Sequence, residues 1–517
     1  MELPRRTVLG AAGLGAAGLV LGTGTTASAD ATVWTTRAKF DALDNGFNNG
    51  NGRKTELNED RAALGWGEAY ILQAYLLMWE AYRDPYYLDK AVDHLDHVLA
   101  SRDTERGVGD WRGQSLPGWR AYWPYSAGDL ILRDAQGRPT MRIRSACAFA
   151  ESMHVTVSAG TTPGTFKIQT HHDMYGRDNT HDNLTMDPAS PNYAVRRIND
   201  GFSGAKDQLT AKDLRPTPDA AGEPVPVVDT LHSSYFHSSV HTGQITYPFA
   251  WFARIVRTTP KLNASRRYRA KATEYFEAAD AAVAIHDEEY LRTAEGAGYY
   301  GYLRGVPTNL DGSDLPHNYS TSVARTYLEL AMAGRRPWHR QRAAELVRDF
   351  VTDLQRKDDG TVSWTYYRSN GLCYNGWTRA DDVSDNFPVR GPSRAKEDVS
   401  HAHVDVTMAA VAYRARVGIG ADDMTRLYKA LTQKVMVTAP DGRPTVTQFV
   451  DGSGSKAMLA YETMAPTWLG VASFGDTAAA ISAAAARMAV NDPAPEVIPI
   501  YSTAYLNWAA RTGARLR

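Results

Sequence analysis

The chain has 517 residues, with 57 lysines and arginines against 58 aspartates and glutamates and a formal net charge of −1 at pH 7. That balance argues against both a nucleic-acid-binding and a membrane-surface protein. At 43% hydrophobic residues it can fill one large core or two to three domains, and with only Cys147 and Cys373 it has no zinc–thiolate site.

Residues 1–29 read as an export signal. Arg5 and Arg6 precede an apolar run rich in Gly and Ala from Val8 to Leu21, and Ala27-Ser28-Ala29 supplies a small-residue cleavage site. Adjacent arginines indicate the twin-arginine route, so the protein is expected to be secreted and extracellular, with no membrane association after cleavage. In that compartment the two cysteines either pair or remain buried thiols.

Residues 30–140 read as the first part of a helical array. Leu64, Ala69, Leu72, Leu76, Trp79 and Ala81 follow helical spacing in a unit that opens at Asp60, Arg83-Asp84-Pro85 breaks it, and Leu88, Val92, Leu95 and Leu99 resume it. Between 141 and 230 the period changes to that of strands, at Met153–Ser158 and Phe166–Thr170, with a turn at Pro163-Gly164. This segment is expected to be a β-rich insertion.

The remainder, 231–517, returns to helical pairs over 241–256 and 268–285, 319–332 and 343–354, 404–415 and 424–437, and 462–474 and 478–490. The first helices of the three central pairs start about 80 residues apart, each pair being followed by a loop rich in Gly and aromatics. A quasi-period of this kind suggests a closed ring of hairpins, and the expected fold class is mainly α, an (α/α) toroid with a β-rich insertion. An open helical solenoid is the alternative, with shorter and more regular repeats.

Three helix starts carry polar groups that are costly to bury unless they find partners. They are His232 to His241, His317-Asn318-Tyr319, and Glu397 to Asp405 with His401 and His403. In the last, Asp398 or Ser400 serves as N-cap, which accounts for the carboxylates but not for the histidines. His401 and His403, two apart, point in different directions on a helix. His237 and His241, four apart, have the spacing of paired metal ligands, and Gln244 and Tyr247 continue their stripe. No Glu-containing zinc motif accompanies them, so no cofactor is expected, a divalent metal being the less favoured reading. Asp381-Asp382-Val-Ser-Asp385 matches a magnesium-holding string, but it lies in a loop of an exported chain.

Asn and His side chains can hydrogen-bond a substrate carboxylate while its α-proton leaves, and a Tyr or His can take that proton. The candidate catalytic set is therefore Tyr319, His401, Asn318, His317, His241 and Tyr374. The candidate substrate-binding set is Gln244, Tyr247, Trp364, Tyr366, Trp377, Arg379, Arg394, Glu397 and His403, with the indoles and Tyr366 as a stacking floor and the arginines attracting an acidic chain.

Helical pairs with aromatic loops, the His317-Asn318-Tyr319 group and the Glu397-Asp-Val-Ser-His401 helix opening resemble the (α/α) toroid enzymes, which include polysaccharide lyases, uronyl epimerases and glycoside hydrolases. The toroid lyases offer an Asn-His pair followed by a distant Tyr, whereas the order here is His-Asn-Tyr. The resemblance implies a polysaccharide or oligosaccharide substrate. The leading expectation is β-elimination on a uronic-acid glycan. The second is an inverting glycoside hydrolase drawing two carboxylates from Glu68, Asp382, Glu397 and Asp398. The third is a glycan-binding protein without activity.

Overall fold

Arg83, Asp84 and Pro85 show how local chemistry sets the helix boundaries. Arg83 ends one helix in left-handed backbone (φ 55), the Asp84 carboxylate accepts the Tyr86 N–H (3.0 Å), and Pro85 takes the first position of the next helix. The computed structural model describes residues 31–57, 63–122, 124–334, 336–454 and 459–516. The export signal expected at 1–29 and the start of the first helical unit at Asp60 lie outside the described residues.

The longer helices are α1 (Arg37–Gly46), α2 (Ala69–Tyr82), α3 (Pro85–Ala100), α4 (Ser239–Thr258), α5 (Arg266–Ala284), α6 (His317–Ala333), α7 (Pro337–Asp353), α8 (Val399–Ala415), α9 (Ala421–Ala430), α10 (Thr477–Asn491) and α11 (Val497–Thr512). α2 packs on α3, α4 and α11, α4 on α5 and α6, and α6 on α7 and α8. A ten-residue 3-10 segment, Ala465–Phe474, lies against α8, α10 and α11.

The helices α4 and α8 are buried on nearly every side, with Ser239 to Val256 of α4 all inside. α4 and α6 approach most closely at Gly243, where a Cβ would stand 2.4 Å from Ser322 Oγ and 2.5 Å from the Val323 nitrogen. Beside this contact the Thr246 and Thr326 hydroxyls hydrogen-bond at 2.9 Å. A bare glycine thus sets the separation of the two helix starts that carry His241 and Tyr319.

The strands are β1 (Gly128–Arg133), β2 (Pro139–Ser145), β3 (Met153–Ala159), β4 (Phe166–His172), β5 (Arg177–Leu184), β6 (Leu209–Asp213), β7 (Val227–Thr230) and β8 (His232–Ser233). They form two four-stranded antiparallel sheets, ordered β6-β2-β1-β8 and β5-β4-β3-β7. Met153, Val155 and Val157 point into a second apolar core shared by both sheets, while His154, Thr156 and Ser158 face outward. The β-structure begins at Gly128 rather than at 141.

The expectation of a mainly α, (α/α) toroid fold is corrected by the strand content. The chain is 49% helical and 16% strand, with several small antiparallel sheets. Beside the two larger sheets, two-stranded hairpins pair Tyr290–Arg292 with Gly298–Tyr300, Gln355–Arg356 with Val362–Ser363, and Met436–Thr438 with Pro444–Val446. These hairpins occupy stretches read as ornate loops or as the tail of a helix. Their strands of two or three residues are too short to display an alternation.

Cys147 and Cys373 are both free and buried. Among the described residues, no helix is long and apolar enough to cross a membrane.

Candidate functional site

The turn before α2 is a π-helical one, Leu64–Glu68, and it presents Trp66 between two histidines. The Trp66 indole N–H donates to His241 Nε2 at 3.0 Å, and its ring meets His401 edge-on at 6.0 Å. Tyr366 stands 5.7 Å from His401, Tyr125 5.0 Å from His241 and Tyr70 6.2 Å from Trp66, all between ring centroids. Helix starts distant in sequence therefore do meet, around an indole that the sequence reading missed. Its one signal is the Gly65-Trp66-Gly67 triplet ahead of an apolar helix.

An indole nitrogen only donates, so His241 Nε2 is an acceptor and its ring proton sits on Nδ1. Burial pushes His241 down to about 3, which keeps the ring neutral.

His401 is held differently. Its Nδ1 donates to Asp398 Oδ2 at 2.5 Å, while Asp398 Oδ1 caps α8 by accepting the backbone N–H groups of Ser400 (2.9 Å) and His401 (3.1 Å). Burial opposes the charge on Asp398, but the imidazole and these donors outweigh it and hold the carboxyl at about 2. Burial likewise opposes the charge on His401, and Asp398 more than offsets it, raising the imidazole above its ordinary value. His401 Nε2 has no protein partner among the described residues, and the side chain is 28% exposed. A solvent-reachable imidazole backed by an ionised carboxylate is the arrangement of a general base.

Glu397 is fully buried. Its Oε1 accepts the Asp398 N–H at 3.0 Å and Oε2 has no partner. Burial, then Asp405 and Asp398, push its carboxyl well above the usual range, so it stays protonated. It therefore lies beneath the site and does not contact substrate as expected. Glu397, Asp398 and His401 each offer a ligand atom within 4.8 Å of the others, which a divalent ion would require. A cation there would displace the hydrogen bond between Asp398 and His401.

Other expected residues lie below this surface. His403 is buried, with Nδ1 bonded to the Ser400 carbonyl and its ring 5.2 Å from Tyr70, and burial pushes it down to about 3. Gln244 donates to the Tyr70 hydroxyl (3.3 Å) and accepts from Arg325, whose guanidinium lies over the Tyr247 ring. Asn318 is 1% exposed with Oδ1 unpartnered. Tyr319 is partly buried near Tyr302, and burial pushes its phenol up to about 12 with no arginine opposing. At neutral pH it therefore holds its proton, which does not suit the role of base.

Several residues expected at the site lie elsewhere. His317 turns toward α7, where Nε2 meets Asp353 at 2.8 Å and the ring edges on Phe350. Trp364 is core, sandwiched between Phe350 and Trp468 with its N–H on Asp405 (2.9 Å). Trp377 is also buried, its N–H on the Phe387 carbonyl, so neither indole forms a stacking floor. Arg379 donates to the carbonyls of Asn199 and Asp200 at the end of helix Ala194–Gly201. Tyr374 lies under the Arg394 guanidinium (5.3 Å), with neither placed against His401. His237 precedes α4 and bonds Asp103 (3.1 Å), so the four-residue spacing to His241 is not a helical one.

Of the carboxylates proposed for hydrolysis, Asp398 is held by His401 and Glu397 is buried. Glu68 is buried against His94 (2.5 Å) and the Arg53 N–H (2.6 Å), and Asp382 is exposed on Arg304 (2.6 Å). A cleft of about 340 Å³ opens at the C-terminal ends of α2, α4 and α11, lined by Glu80, Arg254, Trp508 and Arg511 among others. It offers no histidine, and the helix starts that carry His241 and His401 lie at the other end. No family model matches the chain, and neither does any curated protein.

Proposed function

We propose that the chain is an exported polysaccharide-degrading enzyme, a lyase acting by β-elimination on a uronic-acid-containing glycan. The observation that carries this reading is the Asp398–His401 pair, whose outward Nε2 lies among Trp66 and Tyr366. His401 Nε2 takes the proton on the carbon next to the sugar carboxylate, and Asp398 stabilises the imidazolium that results. The released electron pair forms the ring double bond and expels the glycosidic oxygen. That oxygen takes a proton from a neutral phenol, Tyr319 or Tyr366, both of which burial keeps protonated. His317 is tied to Asp353 and Asn318 is buried, so neither is placed to neutralise the sugar carboxylate.

Inverting hydrolysis has less support, because Glu68 and Glu397 are buried, Asp398 is held by His401 and Asp382 by Arg304. Export rests on Arg5-Arg6 and the Ala27-Ser28-Ala29 site.

A panel of acidic and neutral polysaccharides, read by ultraviolet absorbance and by reducing ends together, tests the reading. A new absorbance from unsaturated uronyl ends supports elimination. Reducing ends without absorbance favour hydrolysis, and binding with neither signal favours a non-catalytic glycan binder.

A further inference from the structure

Away from His401, the C-terminal ends of α2, α4 and α11 surround the cleft of about 340 Å³, a volume within the range of small-ligand pockets. Its floor is electrically balanced. Arg254 meets Glu329 (2.5 Å) and Glu80 (3.2 Å), Arg414 meets Glu329, and the indoles of Trp251 and Trp508 donate to Glu80. Two guanidiniums there face two carboxylates.

The rim is not balanced. Arg83, Arg511 and Arg515 line the cleft and are exposed, and none of them meets a carboxylate among the described residues. Arg83 lies 4.3 Å over the Trp79 ring and Arg511 4.9 Å over that of Tyr82. Those rings steady the guanidinium planes and leave their N–H groups to a ligand.

Other lining groups call for donors. The Thr258 and Thr512 hydroxyls spend their protons on the Arg254 and Trp508 carbonyls of their own helices (2.8 and 2.7 Å), so each offers a ligand only lone pairs. The last carbonyls of the three helices add further lone pairs and the negative ends of their dipoles. A compact inorganic anion answers the arginines but is repelled by these ends. A neutral sugar answers the acceptors and leaves the arginines without a counter-charge. A molecule with one carboxylate and several hydroxyls satisfies both sets.

We propose that this cleft is a second, non-catalytic saccharide site that takes one or two uronic-acid residues, with the carboxylate at the arginine rim and hydroxyls toward the threonines and helix ends. α4, which runs from the His241 end to the cleft, has 20 residues and a length of about 30 Å, so one sugar does not touch both sites. Binding here is independent of the elimination chemistry at His401.

Crystals of the protein soaked with galacturonate locate the site, and calorimetry compares galacturonate with galactose and inorganic phosphate. Both are repeated in an Arg83→Gly/Arg511→Ala variant, in which glycine keeps the left-handed backbone that ends α2. Galacturonate density is expected between the three helix ends, with a binding step that galactose and phosphate do not reproduce. The variant is expected to lose the density and to weaken that step about tenfold or more. If the variant fails to fold, the density and the ligand comparison in wild type decide. An empty cleft, density that persists in the variant, or equal binding of galactose or phosphate overturns the proposal. Galacturonate in the cleft of a protein that forms no unsaturated uronyl ends would sink the elimination reading and leave this site standing.

Discussion

Asp398 holds His401 twice over, with one oxygen on the imidazole Nδ1 and the other on the His401 backbone N–H. The cap that starts α8 is therefore also the group that orients and charges the imidazole. One carboxylate thus serves both the helix cap and the imidazole.

That pairing separates two histidines that look alike in sequence. His401→Ala is expected to lower turnover on the cleaved polysaccharide about 10²–10⁴-fold with a near-normal melting temperature. His317→Ala breaks a buried ion pair with Asp353 and is expected to cost roughly 3 kcal/mol of stability while sparing turnover per folded molecule. Burial opposes the His317 charge, but Asp353 and Asp349 outweigh it and raise its pKa. Its contribution is thus full below about pH 6.5 and fades as pH climbs through the folded value. Paired melting curves and initial rates across pH check both variants.

Glu397 carries a stability signature of opposite use. Its folded pKa is raised, so folding is favoured while the group is protonated, and that advantage disappears as pH rises from about 4.3 through the folded value. Glu397→Gln keeps the neutral shape. It is expected to melt at or above wild type near pH 8, by about 1 kcal/mol, and to match it near pH 4. A variant less stable than wild type at pH 8 would show that Glu397 is ionised and paired.

Gly243 fixes the spacing of α4 and α6. In Gly243→Ala the new methyl meets the Ser322 hydroxyl, which can turn away, and also the Ser322 carbonyl carbon and the Val323 nitrogen at 2.5 Å, which as backbone cannot. The expected cost is about 1–3 kcal/mol, with lost turnover because His241 and Tyr319 move apart. Denaturant unfolding with a rate assay on the same preparation measures both.

What the sequence displayed was local. Arg83-Asp84-Pro85 announced a break between helices, Met153–Ser158 alternated as a strand, and the Asp398 cap was legible from its position ahead of an apolar run. α11 was not, because it is buried from Val497 to Ala509 with few breaks and so shows no single stripe. The 3-10 course of Ala465–Phe474 read as an ordinary helix, since its apolar residues suit either. The direction in which His317 turns depends on Asp353, 36 residues away on a different helix. Trp66 escaped because its partners, His241 and His401, lie far along the chain.

The pH dependence of the elimination rate in wild type and in Asp398→Asn tests the dyad most directly. Asparagine can still cap α8 but carries no charge, so His401 loses the group that raises its pKa. The acidic limb of the profile, where His401 takes up its proton, is expected to shift to lower pH while the plateau rate falls. An unchanged limb with an unchanged plateau would contradict a base formed by Asp398 and His401.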